Sequence, residues 1–314
     1  MSRPLISVVV ATHNPNPQRL HRTLDGLARQ DVSPGAWELV VVDNASEQPV
    51  ATFLTDWRGS AKHRVVLEKR LGLTWARKRG IQESGGDVIV FVDDDNVLAS
   101  DYLSGVEAFF AQHPDIGSIG GKSLPEFETT PPDWISDVNV LLAIRDFGDN
   151  PLLSAAHAPY PGFAPIGAGL AIRRSAVAAW LKALEEREVE ISDRKGASLA
   201  SGGDSDIVMC GLEGGFGTAY VPELVLTHLI PRERLNPRYL ARLSYGMEKS
   251  WVQLLALHGD RTWGPIHRWS VLPRKLRSFL RCRAWLGAEK WIRWRGACGH
   301  FDGRADMADW AGSD

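Results

Sequence analysis

The sequence is poor in cysteine and lacks any long apolar run. Its three cysteines, Cys210, Cys282 and Cys298, are odd in number and far apart. A disulfide framework or a cysteine zinc site needs pairs or close spacing, so neither is predicted, and a reducing cytoplasm is the compartment that fits. No apolar stretch approaches the roughly 18–20 residues that a membrane-spanning helix needs. The sequence therefore predicts a globular protein for which any membrane contact is peripheral.

Net charge is also nearly absent, but only as a sum. The 36 basic and 38 acidic residues leave −2. Residues 261–300, however, carry ten basic residues, one acid and five of the 12 tryptophans, and residues 1–260 carry a net −8. Two interpretations of the basic segment stay open: a helix lying on an anionic membrane surface, or a helix docked on the rest of the chain. Single-stranded nucleic acid is less favoured, because no recognised module accompanies the charge.

The first 125 residues alternate short β-branched runs with helical patterns, which is typical of a mainly parallel sheet flanked by helices. The runs 8–10 and 40–42 are each three consecutive valines, so we expect these strands to be buried on both faces. Asn16 and Pro17 are typical of an N-cap and the first residue of a helix that ends near Gln30. The predicted strands are 5–11, 38–42, 64–68, 87–92 and 116–120.

The pattern changes after residue 125. Residues 125–165 are rich in proline and aromatic residues, including Trp134, Tyr160 and Phe163, and predict a long loop or lid. Later elements are predicted at 168–173 (strand), 174–187 (helix), 211–221 (turn and strand) and 236–258 (helix). We predict one α/β domain over residues 1–235, with halves that meet near residue 124, followed by a helical, basic extension over 236–314.

Three consecutive carboxylates, Asp93, Asp94 and Asp95, follow the apolar strand 87–92. Ligands of an open α/β sheet bind at the carboxyl ends of its strands. Adjacent carboxylates repel one another unless a cation or donors offset their charge, and a hard divalent ion accepts one or two of them together with phosphate oxygens. The alternative is a polar turn in which Asp95 or Asn96 caps a helix. We favour a metal site.

Thr12 and Asp43 end the first two predicted strands in the same way. Asp43 is suited to accept a hydrogen bond from a nucleobase N–H or a ribose hydroxyl, although a turn or helix cap is the commoner role of one such aspartate. Because several neighbouring strands each end in a small polar or acidic residue, we expect one shared crevice.

Four motifs follow one another in this part of the chain. They are 8–14 (VVVATHN), 41–46 (VVDNAS), 72–80 (GLTWARKRG) and 86–96 (GDVIVFVDDDN). In this order and spacing they resemble the motifs of the family 2 glycosyltransferases with the GT-A fold. The resemblance is good over residues 5–125, fair to about residue 230 and absent afterwards.

The resemblance implies a GT-A (Rossmann-like) sheet with a nucleotide-sugar site. In it Asp43 would pair with the base of the nucleotide and Asp95 would coordinate Mg²⁺ or Mn²⁺ between the two phosphates. Either Asp93 or Asp94 would contact the ribose. The donor would be a UDP- or dTDP-sugar rather than a GDP-sugar, since those are the family's commoner choices.

The same resemblance implies that three further residues lie near the nucleotide-sugar. Thr12 and Asn14 belong to the first motif and Arg77 to the third. For Arg77 a solvated basic helix face shared with Lys78 and Arg79 explains the residue equally well.

The resemblance also implies transfer with inversion, for which a carboxylate must take the proton of the acceptor hydroxyl. Residues 201–207 (SGGDSDI) resemble the family's Glu-Asp or Gly-Asp signature, in which Asp204 would be the base. A helix N-cap is the alternative role of Asp204, and the two are compatible. His228 would be a further metal ligand, better suited to Mn²⁺ than to Mg²⁺, or a buried structural histidine.

Taken together, the sequence predicts a cytoplasmic, metal-dependent, inverting glycosyltransferase, a hexosyl- or N-acetylhexosaminyltransferase with a glycan or lipid-linked acceptor. Two alternatives remain. A sugar nucleotidylyltransferase would need a glycine-rich, basic phosphate loop after the first strand, where the sequence has THNPNP. A non-catalytic sugar-nucleotide or membrane-surface binding protein would have no use for the acids.

Overall fold

The computed structural model describes residues 5–59, 62–187, 202–260 and 262–310. Within these residues the chain forms two compact units. The first comprises residues 5–59, 62–126, 143–187 and 204–230, and the second comprises residues 127–142, 202–203, 231–260 and 262–310. None of the described helices combines the length and the hydropathy needed to cross a membrane.

A parallel block of four strands forms one side of the sheet in the first unit. It consists of β1 (Ile6–Thr12), β2 (Trp37–Asp43), β3 (Lys62–Leu67) and β4 (Val88–Asp93). The spatial order is β3-β2-β1-β4, with each neighbouring pair parallel. The valines of β1 and β2 are buried, so the prediction that these two strands are covered on both faces is confirmed, and the valines of β4 are buried as well.

The other side of the sheet is antiparallel. It contains β5 (Asn96–Leu98), β6 (Ile116–Phe127), β7 (Leu152–Ser154), β8 (Ala171–Arg173) and β9 (Gly217–Ile230). The order continues from β4 through β8, β6 and β9 to β5, and β7 pairs with β9. Strands from late in the sequence therefore lie between strands from early in it.

Helices flank this sheet and form most of the second unit. Their bounds are α1 (Pro17–Ala28), α2 (Leu73–Glu83), α3 (Tyr102–Gln112), α4 (Arg174–Glu186), α5 (Gly203–Glu213), α6 (Pro237–Leu257), α7 (Val271–Cys282) and α8 (Ala288–Trp310). Asn16 caps α1 as predicted, since its side chain accepts from the N–H of Arg19 at 3.1 Å. The leucines of α1 pack into one apolar core with the inner faces of β1 and β2.

Three predicted elements differ from the structure. β6 continues through Pro125 to Phe127, and the expected loop contains a 3-10 segment at Asp133–Leu142 as well as β7. The end of β6 is partly exposed, where the missing N–H of a proline costs little. The strand predicted from residue 168 begins at Ala171, because the positive φ of Gly169 interrupts the extended backbone. Residues 211–213, predicted as a turn, are the last residues of α5.

A buried carboxylate holds together the edge of the sheet at which the parallel strands begin. Glu38 of β2 accepts hydrogen bonds from the Ser7 hydroxyl (2.7 Å), the Gly85 N–H and the Arg64 guanidinium (2.9 Å). Burial by itself would raise the pKa of Glu38, but these donors outweigh it and the pKa is lowered. The carboxylate is therefore stabilised in its charged form.

In the second unit α6 and α8 approach until their backbones touch. A Cβ at position 299 would lie 2.0 Å from the carbonyl oxygen of Tyr245, so only glycine fits there. Asp302 of α8 then accepts hydrogen bonds from the Tyr245 hydroxyl and from Lys275, both at 2.7 Å. One carboxylate thus joins α6, α7 and α8.

Candidate active site

The carboxyl ends of β1, β2 and β4 meet at one edge of the sheet. Thr12 is the register partner of Asp43, and Ala11 is the partner of Asp93. The predicted convergence of the polar strand ends is therefore a feature of the structure.

The first two carboxylates of the acidic run have different surroundings. Asp94 accepts a short hydrogen bond from the hydroxyl of Thr12, which ties the end of β4 to the end of β1. Asp93 is partly exposed at the strand end, and its carboxylate has no hydrogen-bond partner within the described ranges. Asp93 is thus the more open of the two to a ligand.

Asp43 stabilises a turn. Its two carboxylate oxygens accept from the backbone N–H groups of Ser46 (2.9 Å) and Val50 (3.1 Å), and the residue is buried. This is the turn role that the sequence left open beside nucleobase binding. Each oxygen keeps a second lone pair, so the turn itself does not use up the acceptor capacity of the carboxylate.

Asn14 and Asn44 organise the loops around that turn. Asn14 is exposed, with a positive φ of 48°, and its side-chain oxygen accepts from the N–H of Glu47 at 2.8 Å. The buried amide of Asn44 donates to the carbonyl oxygens of Glu68 and Arg70 and accepts from the N–H of Gly72. Asn44 therefore fixes the chain that enters α2, a role that its place in a motif does not reveal.

Arg77 is buried in α2, so it is not part of a solvated basic face. Its residue exposure is 3%, and the guanidinium lies 5.5 Å from the ring centre of Phe91. Across the described ranges it has no hydrogen-bond or ion-pair partner. A Cβ at Gly167 would lie 2.1 Å from Nη2 of Arg77 and 3.5 Å from Oδ2 of Asp204. The absence of a side chain at position 167 thus leaves room for the Arg77 guanidinium close to the Asp204 carboxylate.

Asp95 and His228 form a buried pair on the other side of the acidic run. Oδ1 of Asp95 lies 3.6 Å from Nε2 of His228, because β5 and β9 pair Asn96 with His228. One divalent ion at ordinary ligand distances of about 2.2 Å can bind both atoms. Next to them, the buried side-chain oxygen of Asn96 has no hydrogen-bond partner within the described ranges. The oxygen and nitrogen donors present fit Mn²⁺ or Mg²⁺.

Asp204 lies at the start of α5 and is held by backbone donors. Its Oδ2 accepts from the N–H of Gly167 at 2.7 Å, and its Oδ1 accepts from the N–H of Ser205 at 3.1 Å. The residue is partly exposed. The first residue of its motif, Ser201, lies outside the described residues. Asp204 is therefore oriented and accessible, as a base needs to be.

Two residues near Asp204, Tyr160 and Arg145, were not predicted from the sequence to lie beside it. Tyr160 donates to the Ser205 hydroxyl at 3.1 Å, and burial, with the Asp204 charge, raises the pKa of Tyr160 to about 12. Arg145 donates to the carbonyl oxygens of Ala164 and Gly162. Burial lowers the pKa of Arg145, although the charges of Tyr160 and Asp204 act in the opposite direction. In the sequence Tyr160 was notable only as an aromatic residue of the predicted loop, and no pattern pointed to Arg145.

The architecture is that of the GT-A glycosyltransferases. A mannosyltransferase from Pyrobaculum calidifontis, solved with GDP-Man and Mn²⁺, superimposes with a TM-score of 0.58 over 100% of this chain and 77% of its own, at 19% identity. S. aureus TarS 1-349, solved with UDP, gives a TM-score of 0.54 over 97% of this chain and 91% of its own, at 14% identity.

The chain belongs to glycosyl transferase family 2, whose model matches residues 7–177, more than half of its length. It is similar to an N-acetylglucosaminyltransferase of Rhizobium sp. (strain N33), with 27% identity over 261 residues, 81% of this chain and 54% of that protein. An N-acetylglucosaminyltransferase of Rhizobium meliloti (strain 1021) is 25% identical over 81% of this chain and 58% of its own length. The chain thus spans about half the length of these relatives.

Proposed function

We propose that the protein is an inverting glycosyltransferase that moves a sugar from a nucleoside diphosphate sugar to a hydroxyl acceptor. The observation that carries this proposal is the buried Asp95–His228 pair beside the strand end at which Asp93 and Asp94 lie. Family membership and the GT-A fold support the same class of reaction.

We assign the residues at this edge of the sheet to two roles, binding of the nucleotide-sugar and binding of the metal. We assign the nucleotide-sugar to Thr12, Asn14, Asp43, Arg77 and the pair Asp93 and Asp94, and the metal to Asp95 and His228. A bound Mn²⁺ or Mg²⁺ would offset the charge of the diphosphate leaving group. Since an imidazole ligand suits Mn²⁺ better than Mg²⁺, we expect Mn²⁺ to support activity more strongly than Mg²⁺.

On the acceptor side, Asp204 is the proposed general base. The acceptor hydroxyl oxygen forms a bond to the anomeric carbon, while the bond from that carbon to the diphosphate oxygen breaks with its electron pair. The hydroxyl proton passes to the Asp204 carboxylate, which the Gly167 N–H keeps in position. Because attack and departure are on opposite faces, the configuration at the anomeric carbon inverts.

For the donor we propose a UDP- or dTDP-sugar, with an N-acetylhexosamine as the first sugar to test. The N-acetylglucosaminyltransferases that match most of this chain support this choice. The UDP complex of one structural neighbour favours a pyrimidine nucleotide, whereas the GDP-Man complex of another makes GDP-sugars the necessary comparison. We further propose a glycan or lipid-linked acceptor and action in the cytoplasm, at the inner membrane face.

A donor panel tests the function. The protein is incubated with Mn²⁺ and UDP-, dTDP- or GDP-sugars, and release of the nucleoside diphosphate is followed with and without candidate acceptors. We expect nucleoside diphosphate to be released from at least one pyrimidine donor. NMR of the product should show an anomeric configuration opposite to that of the donor sugar. No release from any donor would overturn the proposal.

A matched pair of variants tests the metal site. Asp95→Asn removes a proposed ligand, and we expect Mn²⁺-dependent nucleotide affinity to fall by at least about 10- to 100-fold, the loss that follows even when only a hydrogen-bond partner of a metal ligand is replaced. Asp101→Asn removes an exposed acid six residues further along the chain, whose carboxylate makes no hydrogen bond within the described residues, and should leave that affinity unchanged. Equal affinities in the two variants would reject Asp95 as a ligand.

A further inference from the structure

Helix α7 exposes a row of large apolar side chains in the second unit. Leu272, Leu276 and Leu280 are spaced four residues apart and therefore lie on one face of the helix. Trp269 precedes the helix, and Trp285 and Leu286 follow it. All six are between 54% and 78% exposed. Scattered exposed leucines are ordinary, but a row of this length along one helix is characteristic of an interaction surface.

A neighbouring side of α7 is covered by α8. Phe279 packs edge-on against Trp294 of α8, with ring centres 5.0 Å apart, and the Trp294 indole N–H donates to the carbonyl oxygen of Lys275 at 3.0 Å. Lys275 also pairs with Asp302. These contacts fix the rotation of α7 about its axis and leave the row of leucines exposed. Docking of α7 within its unit therefore does not bury the apolar row.

A row of arginines lies next to the leucines. Arg274, Arg277 and Arg281, spaced three and four residues apart, share the adjacent face of α7, and Arg283 follows at its end. All four are exposed, and within the described ranges none has an ion-pair partner. From residue 262 to 288 the chain contains no acid. The surface thus combines apolar side chains with uncompensated positive charge.

We propose that α7 and its flanking tryptophans bind an anionic lipid bilayer, with the helix lying in the plane of the interface. The leucine row would enter the acyl region, the arginines would contact lipid phosphates, and Trp269 and Trp285 would lie at headgroup depth at the two ends. A protein partner with one apolar groove would not account for arginines along the whole helix. Single-stranded nucleic acid would need stacking faces where α7 presents leucines.

Vesicle binding tests this surface without donor or acceptor, so its failure is distinguishable from failure of the proposed transfer. The full chain is sedimented with vesicles of equimolar phosphatidylcholine and phosphatidylglycerol, and with phosphatidylcholine alone. We expect binding to the anionic vesicles that weakens as salt rises, because charges at the surface are screened. No binding, or equal binding to both vesicles, would overturn the proposal.

Two sets of variants separate the apolar and the charged contributions. Leu272→Ser, Leu276→Ser and Leu280→Ser together should weaken binding by about 1,000-fold or more, since each buried leucine contributes at least about tenfold. Arg274→Gln, Arg277→Gln and Arg281→Gln together should also weaken it by about 100-fold. The six side chains are exposed, so unfolding temperatures should stay near that of the wild type.

Matched controls change the same chemistry elsewhere. Val140→Ser with Leu153→Ser alters exposed apolar residues outside α7, and Arg29→Gln, Arg58→Gln and Lys182→Gln together remove the same charge from exposed positions in the first unit. We expect both controls to bind like the wild type. Loss of binding in the controls, or retention in the leucine set, would reject α7 as the membrane surface. Tighter binding to single-stranded oligonucleotides, undiminished in the leucine set, would also overturn the proposal.

Discussion

The carboxylate of Asp204 and the backbone N–H of Gly167 are joined by a hydrogen bond of 2.7 Å. A backbone donor is part of the main chain and cannot rotate away, so this bond holds the carboxylate in one orientation. The Ser205 N–H holds the other oxygen. Each oxygen retains a lone pair for an incoming proton. The pair therefore explains how a residue at a helix start can also serve as a positioned base.

Replacing Asp204 with asparagine should stop transfer and preserve donor binding. The amide oxygen still accepts from Gly167, but it cannot take up a proton, so we expect kcat to fall by about 100- to 10,000-fold. Nucleotide affinity, measured by calorimetry, should stay within about twofold of the wild type. Glu213→Gln, which removes an exposed acid at the other end of α5, is the control. A variant that keeps the wild-type kcat would exclude Asp204 as the base.

Replacing Gly167 with alanine should damage the site through Arg77. The added Cβ would lie 2.1 Å from Nη2 of Arg77, so the guanidinium must move. We expect kcat/KM to fall by at least about tenfold, since misplacement of about 1 Å can cost more than that. Gly162→Ala provides a control in the same loop, because its Cβ would meet no atom of the described residues within 4 Å. Equal losses in the two variants would contradict the assigned role of the Gly167 gap.

Stability should depend on the charge of Glu38. The folded-state pKa of Glu38 is lowered from its ordinary 4.5, so its contribution is complete above that value and is lost as pH falls through the folded-state pKa. Glu38→Gln should therefore reduce the free energy of unfolding by about 2 kcal/mol at pH 7. In urea titrations the difference between the two proteins should shrink at acidic pH. A difference that persists unchanged at low pH would show that charge is not the cause.

The contact between α6 and α8 should tolerate no side chain at position 299. Gly299→Ala places a Cβ against the Tyr245 carbonyl oxygen and must separate the helices, at a cost of about 1–3 kcal/mol. Gly264→Ala tests the general effect of losing a glycine in the second unit, because a Cβ there would meet no atom within 4 Å in the part of the chain that the structure describes. Thermal unfolding should show a lower midpoint for the first variant alone.

Much of the sheet was predictable because its evidence is local. The apolar runs of β1, β2 and β4 and the cap at Asn16 each act over a few residues, and the strand ends at Thr12, Asp43 and Asp93 follow from those runs. The prediction of a GT-A sheet is accordingly confirmed. The bounds of β1 to β4 differ from the predicted ones by at most two residues, whereas β6 and β9 continue well beyond theirs because pairing with neighbouring strands extends them.

The surroundings of the acceptor side were not predictable to the same degree. Arg145 and Tyr160 belong to a segment with weak periodicity, and their proximity to the charge of Asp204 depends on tertiary packing. The burial of Arg77 also depends on the gap at Gly167, which lies far away in the sequence. The exposed row on α7 illustrates a related limit: the amphipathic pattern was visible, but only the packing of Phe279 on Trp294 shows which side is covered.

The interleaved order of the sheet has a consequence for folding. β8 lies between β4 and β6, and β9 lies between β6 and β5, so strands made early are separated in space by strands made late. During synthesis the residues around Asp95 must wait for residue 230 before their final neighbours exist. Such pairing has a high contact order and is expected to fold slowly. The two sides of the candidate active site should therefore be acquired together, in one late cooperative step.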